Sequence, residues 1–187
     1  MDVTVAVLQG IWLIFPAYVA GPGAVLLGGG RPIDGGRMHK DGRRYLGDGK
    51  TWRGLVGGVS LGFIIGLLQD YANQFSEWPE MSFGSYPYNV LVIFLLPFGA
   101  LMGDMMGSYI KRRKGIERGQ KAPVLDQYDF LIFAIILVAV LQWPWFFEHY
   151  IDGFAILGLI TIIVLTPVLH RITNIIGHRM GKKEVPW

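Results

Sequence analysis

Asp104, Ser108 and Lys111 are the residues whose types and spacing first suggest chemistry. Offsets of four and seven place a carboxylate, a hydroxyl and an ammonium on one face of a helix. The carboxylate can hold a divalent metal, the hydroxyl can meet metal or phosphate, and the cation can neutralise phosphate oxygens. Arg112 and Arg113 follow directly and enlarge the positive charge. Further along, Asp126 and Asp129 are three apart and share one face of a helix start. If the two segments meet, Asp104, Asp126 and Asp129 would converge on one or two magnesium ions. A plainer reading competes at each place. Asp104 also reads as an interfacial acid paired with Lys111, and Asp126 as an N-cap, where carboxylates complement the helix dipole.

A second chemical feature is residues 28–54, GGGRPIDGGRMHKDGRRYLGDGKTWRG, with eight glycines between Gly28 and Gly49. Glycine lets backbone N–H groups approach a ligand and form anion-binding concavities. Interleaved arginines and lysines would face the same anion, so a phosphate-bearing ligand is expected. The bland alternative is a basic loop lying on anionic lipid heads. Gly49-Lys50-Thr51 matches only the end of a nucleotide-binding P-loop, because Arg44 stands where that motif needs glycine. A nucleotide-hydrolase reading is therefore rejected.

These segments must be positioned by apolar elements. Of 187 residues 52% are hydrophobic and 17% charged, with mean hydropathy +0.40; soluble domains carry roughly 25% charged residues. About 20 apolar residues span a bilayer, and five such stretches occur: 3–26, 54–69 with an extension to 75, 81–103, 130–147 and 153–169. Pro16 and Pro22 suggest a kink and an early end in the first. Gly57, Gly58, Gly62 and Gly66 in the second are spaced for close helix packing. No basic residue precedes the first apolar run, which argues against a cleaved signal peptide. With no cysteine, disulfides and thiolate metal sites are excluded. The four histidines have no ligand spacing and receive no role.

All 17 Lys and Arg fall in three alternate intervals: residues 31–53, residues 111–121 (Arg118 among them) and the C-terminal tail (Lys183 among them). Intervening segments are acidic, with Asp70, Glu77, Glu80, Glu148 and Asp152. Basic residues are retained in the cytoplasm. The expectation is an all-α integral membrane bundle of five transmembrane helices, one domain over residues 1–187, with the N-terminus outside and the C-terminus cytoplasmic. Its chemistry would lie on the cytoplasmic face of the cell membrane, in loops of about 28–53 and 111–128. Asp70, near the outer end of the second span, would lie outside the site.

Gly-Gly-Gly-Arg-Pro-Ile-Asp-Gly-Gly (28–36), Asp-Gly-Arg-Arg (41–44), Gly-Asp-Gly-Lys-Thr-Trp-Arg-Gly (47–54), Gly-Asp (103–104), Lys-Arg-Arg-Lys-Gly (111–115) and Asp-Gln-Tyr-Asp-Phe (126–130) together resemble the archaeal CDP-archaeol synthases of the CDP-diacylglycerol synthase superfamily. The resemblance covers essentially the whole chain and implies an archaeal source. It implies cytidylyl transfer from CTP to 2,3-bis-O-geranylgeranyl-sn-glycerol 1-phosphate, an isoprenoid ether-lipid phosphate, with magnesium as cofactor. It implies Asp104, Asp126 and Asp129 as metal ligands, and Lys111 and Arg112 as catalytic cations. Ser108 and Arg113 would contact phosphates, while Asp34, Gly35, Gly36, Arg43, Lys50, Thr51 and Arg53 would hold CTP or lipid phosphate. Membrane lipids are the expected surroundings; no nucleic-acid partner is expected.

Two other classes compete. A CDP-alcohol phosphotransferase also uses aspartates in a membrane, but Asp41-Gly42 is followed by Arg43-Arg44-Tyr45-Leu46 and the family's downstream pattern is missing. A transporter would place polar groups near mid-membrane on broken helices, whereas these spans are nearly charge-free at mid-depth.

Overall fold

A computed structural model describes residues 2–117, 119–182 and 185; Arg118 and Lys183, two of the basic residues counted above, lie outside them. Six helices follow in order: α1 Val3–Leu26, α2 Trp52–Asn73, α3 Tyr88–Arg113, α4 Pro123–Leu141, α5 Trp143–Tyr150 and α6 Ala155–Arg179. All but the short α5 are long and apolar enough to cross a membrane. Among the described residues there are only two isolated β-bridges, both in the first loop: Pro32 with Thr51 and Met38 with Arg44.

α1 and α3 form the interior. Leu13 and Ile14 of α1 and Val92, Ile93 and Leu96 of α3 are sealed from solvent. α2, α4 and α6 wrap them and turn apolar stripes outward. Ile64 and Leu68, Ile132, Ile136 and Val140, and Ile160, Val164 and Val168 are exposed at four-residue spacing, as lipid-facing helices require. The glycines of α2 admit close neighbours. A β-carbon at Gly58 would sit 2.5 Å from the Ala20 carbonyl oxygen, and one at Gly62 would sit 2.5 Å from Pro97.

Helix ends differ from the charge-free stretches, for physical reasons. α1 runs through Pro16 and Pro22 without the expected early end. Proline at 16 leaves the Trp12 carbonyl without its helical partner, and the Gln69 amide donates to that oxygen at 2.9 Å. In α6, Pro167 frees the Ile163 carbonyl, which accepts from the Tyr128 hydroxyl at 3.2 Å. Neighbouring helices thus restore the hydrogen bonds that proline removes. α3 starts at Tyr88 rather than 81, since residues 79–87 form a 3-10 turn and bends that seat the buried Phe83 against Trp145. The fourth apolar stretch begins seven residues earlier than its charge-free part and breaks at Gln142, where Pro144 opens α5. α3 and α6 both continue into their basic ends. A charge-free window measures hydrocarbon thickness; the helix itself extends through the interface.

Candidate functional site

The site begins with how α3 meets α4. Gly103 and Gly107 are one turn apart on α3, and a β-carbon at either would collide with Asp129, at its backbone and its carboxylate respectively. Lacking side chains there, α3 lets Asp129 pack directly on its backbone. Asp104, Ser108 and Lys111 occupy the adjoining face, as their spacing predicts. All three, with Arg112, Asp126 and Asp129, line one cavity of about 490 Å³.

The first loop closes this cavity from the α1–α2 side. Gly28, Gly29, Gly30, Gly49, Lys50 and Thr51 are on its wall. Gly29 and Gly30 have φ of 96° and 78°, a region that side chains disfavour. Thr51 is the N-cap of α2, its hydroxyl accepting from the Gly54 N–H at 3.1 Å. The positive end of the α2 dipole therefore faces the cavity, a favourable place for an anion.

Charges of both signs interleave inside. The Lys50 ammonium pairs with the Asp104 carboxylate. Lys111 Nζ donates to Asp126 Oδ1 at 2.6 Å, and Asp126 Oδ2 accepts from the Ala122 N–H at 2.8 Å. Ala122 is the N-cap of α4, so Asp126 sits within the first turn and is not itself the cap. Asp129 is buried; one oxygen accepts from the Phe130 N–H at 2.7 Å. Asp104, Lys111 and Lys50 are its charged neighbours. The described residues hold no group of three or more His, Asp or Glu placed to cage a metal by themselves. Magnesium does not need such a cage, because it is usually held by one or two carboxylates together with substrate phosphates and water. Asp104 and Asp129, close enough to feel each other's charge in one cavity, fit that pattern.

Several residues expected in the site are placed elsewhere. Asp34 does not line the cavity. Its carboxylate accepts from Arg44 Nη2 at 2.6 Å and Arg44 Nε at 3.2 Å, and from the N–H groups of Gly36, Leu46 and Gly47. Burial opposes its ionisation. The Arg44 hydrogen bonds and those from Gly47, Leu46 and Gly36 outweigh that and hold its carboxyl well below the usual carboxylate range. Asp34 is thus an internal strut, with Gly35 and Gly36 supplying the turn beside it at φ of 57° and 82°. Arg113 Nη1 donates to both Asp41 carboxylate oxygens at 2.8 Å, while Nη2 donates to the Arg44 carbonyl at 2.6 Å and the guanidinium lies over the Tyr45 and Tyr109 rings. It clamps the first loop to α3. Arg43 packs against Gly115 of the second loop, and Arg53 is exposed in the first turn of α2 near Gly30. These residues build the walls rather than line the cavity. Asp70 hydrogen-bonds to Asn89 at 2.9 Å, far along α2 from the cavity.

Sequence reasoning missed α6. His170 and the buried Asn174 line the cavity one turn apart, with Lys182 beyond them. A signal was present: Thr166, His170, Asn174 and His178 recur every four residues in an apolar span, which marks one polar helix face. The first loop, the second loop and the end of α6 all reach this cavity. The three basic intervals thus gather at one end of the bundle.

With this geometry in hand, comparison with known proteins is direct. A family model described as CarS-like, CDP-archaeol synthase, matches residues 3–187. The CDP-archaeol synthase of Methanocorpusculum labreanum is 44% identical over 180 residues, 93% of this chain and all of that protein. That of Thermococcus gammatolerans is 44% identical, covering 95% of this chain and 94% of the relative. A solved structure, reported as an intramembrane enzyme for archaeal membrane lipids biosynthesis, superposes with a TM-score of 0.63 at 36% identity, over 84% of this chain and 93% of that one. Near-complete coverage in both directions, in sequence and in fold, means that the chain belongs to the CarS-like CDP-archaeol synthase family.

Proposed function

We propose that this chain is a magnesium-dependent cytidylyltransferase. It transfers CMP from CTP to 2,3-bis-O-geranylgeranyl-sn-glycerol 1-phosphate and yields CDP-archaeol and pyrophosphate. The observation that carries the reading is the single cavity that joins the glycine-dense loop and the α2 N-terminus to Asp104, Asp129, Lys50, Lys111 and Arg112. Membership of the family supports the substrate pair.

A phosphate oxygen of the lipid attacks the α-phosphorus of CTP. The new P–O bond forms as the bond to the β-phosphate bridging oxygen breaks, and pyrophosphate departs. The attacking phosphate is already ionised near neutral pH, so no strong base is required, in keeping with a site built of aspartates and cations. The task is to align two polyanions and neutralise the charge on the leaving group. Lys50, Lys111 and Arg112, which line the cavity with the α2 N-terminus, would do that work. Asp104 and Asp129 would hold magnesium, whose positive charge offsets that of the triphosphate. Asp126 would join them when Lys111 turns from it to a phosphate oxygen. Ser108, buried between Asp104 and Lys111 on α3, would donate to phosphate.

The basic end is read as cytoplasmic, with the N-terminus outside. This orientation places CTP and pyrophosphate on the side where nucleotide pools reside. The chain has no cysteine, so single cysteines at position 2 or 182 report sidedness. An impermeant maleimide added to intact cells should label position 2 alone.

The deciding assay gives purified protein CTP labelled in the α-phosphate, magnesium and the geranylgeranyl ether-lipid phosphate. Label should move into the chloroform phase with release of one pyrophosphate per CDP-lipid. Label that stays aqueous would refute cytidylyl transfer, and CMP release from a supplied CDP-lipid would favour a phosphotransferase instead.

A further inference from the structure

A second cavity, of about 1100 Å³, lies on the other side of the first loop, between that loop, Trp52 at the start of α2 and the face of α3 that carries Met102, Met105 and Met106. Its walls differ in kind from those of the charged cavity. One side is three methionines and a tryptophan, of which Met106 and Trp52 are exposed. The other side carries Arg31 and Arg37. Among the described residues neither guanidinium has an ion-pair partner, whereas Arg44, Lys50 and Arg113 of the same region are each paired with an aspartate. Asp34 also borders the groove, but Arg44 neutralises it. Ile33, Leu46 and Met105 line both cavities. These three apolar side chains form a wall shared by the groove and the charged site.

We infer that this groove is the docking site of the lipid-phosphate substrate, its isoprenoid chains against the methionine wall and its phosphate at Arg31 and Arg37, and that the head passes over the Ile33–Leu46–Met105 wall to reach the charged cavity. The inference rests on the cytidylyltransferase reading given above. A phosphate monoester with two long hydrocarbon chains stays in the bilayer, so it must approach sideways at interfacial depth. Trp52 and Tyr109 border the groove, and such aromatics mark that depth. Methionine side chains are flexible and polarizable, and they adapt to the irregular outline of methyl-branched chains. The loop is fixed against α3 beside the groove: Tyr45 stacks on Tyr109 with centroids 6.4 Å apart, and Arg113 lies over both rings. CTP, which comes from water, has no use for a methionine wall; a lipid anion uses both walls.

The test has two arms, both in neutral detergent micelles. In the first, Arg31→Gln and Arg37→Gln should each raise the KM for the lipid phosphate by about fivefold, and together by about twentyfold or more, the scale of one interfacial cation each. The KM for CTP and the rate at saturating lipid should stay at the wild-type values. An unchanged lipid KM, or a CTP KM that rises as much, overturns the inference. So does equal inhibition by an ordinary anionic phospholipid, which would make the groove part of a non-selective lipid belt. In the second arm, wild-type protein is photolabelled by the lipid phosphate bearing a diazirine in one chain. Label in peptides containing Trp52 or Met102–Met106 supports the groove; label confined to α1 or α6 overturns it. A wild-type enzyme that makes no CDP-lipid would instead sink the functional reading, and would show itself before either variant is compared.

Discussion

Replacing Asp104 by asparagine separates chemistry from stability more cleanly than any other single change. The side chain keeps its shape and loses only its charge. Asp104 is paired with Lys50, and the two side chains are 34% and 24% exposed. An ion pair this open to solvent contributes at most about 1 kcal/mol. For a chain of this length that is a fall of about 2–4 °C in the unfolding midpoint. The catalytic cost is larger. A carboxylate that holds the cation offsetting the triphosphate charge belongs with groups whose removal lowers kcat by about a hundredfold or more. The assay is conversion of labelled CTP to chloroform-soluble product, run beside thermal unfolding in the same detergent. Lys50→Met and the double variant complete a cycle. If the pair works as one unit on magnesium–CTP, the double variant is about as slow as the worse single variant, since effects within a unit do not add. Asp104→Asn turning over within about threefold of wild type would remove Asp104 from the metal site. A midpoint that drops by 10 °C would show that the pair mainly supports the fold.

Other expectations are equally direct. Gly107→Ala forces a methyl group into the Asp129 carboxylate; overpacking of this kind costs about 1–3 kcal/mol, and activity should fall with it. Val164→Ala, on the outward, exposed face of α6 and away from the cavity, should leave turnover unchanged and serves as the control. Chelation of divalent metal should abolish turnover, with recovery on adding magnesium; full activity in excess chelator would refute the metal assignment. The Asp34 carboxyl is held below its ordinary value of 3.8, so the order it gives the first loop is fully present above that pH. That order is lost as the pH falls through 3.8 towards the depressed folded value. Asp34→Asn should therefore open residues 28–51 to limited proteolysis at neutral pH, whereas wild type should resist there.

Five spans, their alternation of basic and acidic connections, and the shared face of Asp104, Ser108 and Lys111 were legible in the residues alone. They rest on short-range rules: apolar length against bilayer thickness, charge against membrane side, and 3.6 residues per turn. Helix ends were less legible, because Gln69 and Tyr128 rescue proline-freed carbonyls from helices distant in sequence. The division of labour among the loop cations was not legible at all. Arg43, Arg44, Lys50, Arg53 and Arg113 look alike in a glycine-rich or basic string. Only the tertiary structure turns Lys50 to Asp104, Arg44 to Asp34 and Arg113 to Asp41 and two tyrosine rings. Which carboxylate a cation meets depends on how α3 packs against α4 and the first loop, and that packing is set by absent side chains at Gly103 and Gly107. Sequence names the charges; three-dimensional neighbours decide which of them remain available to a ligand.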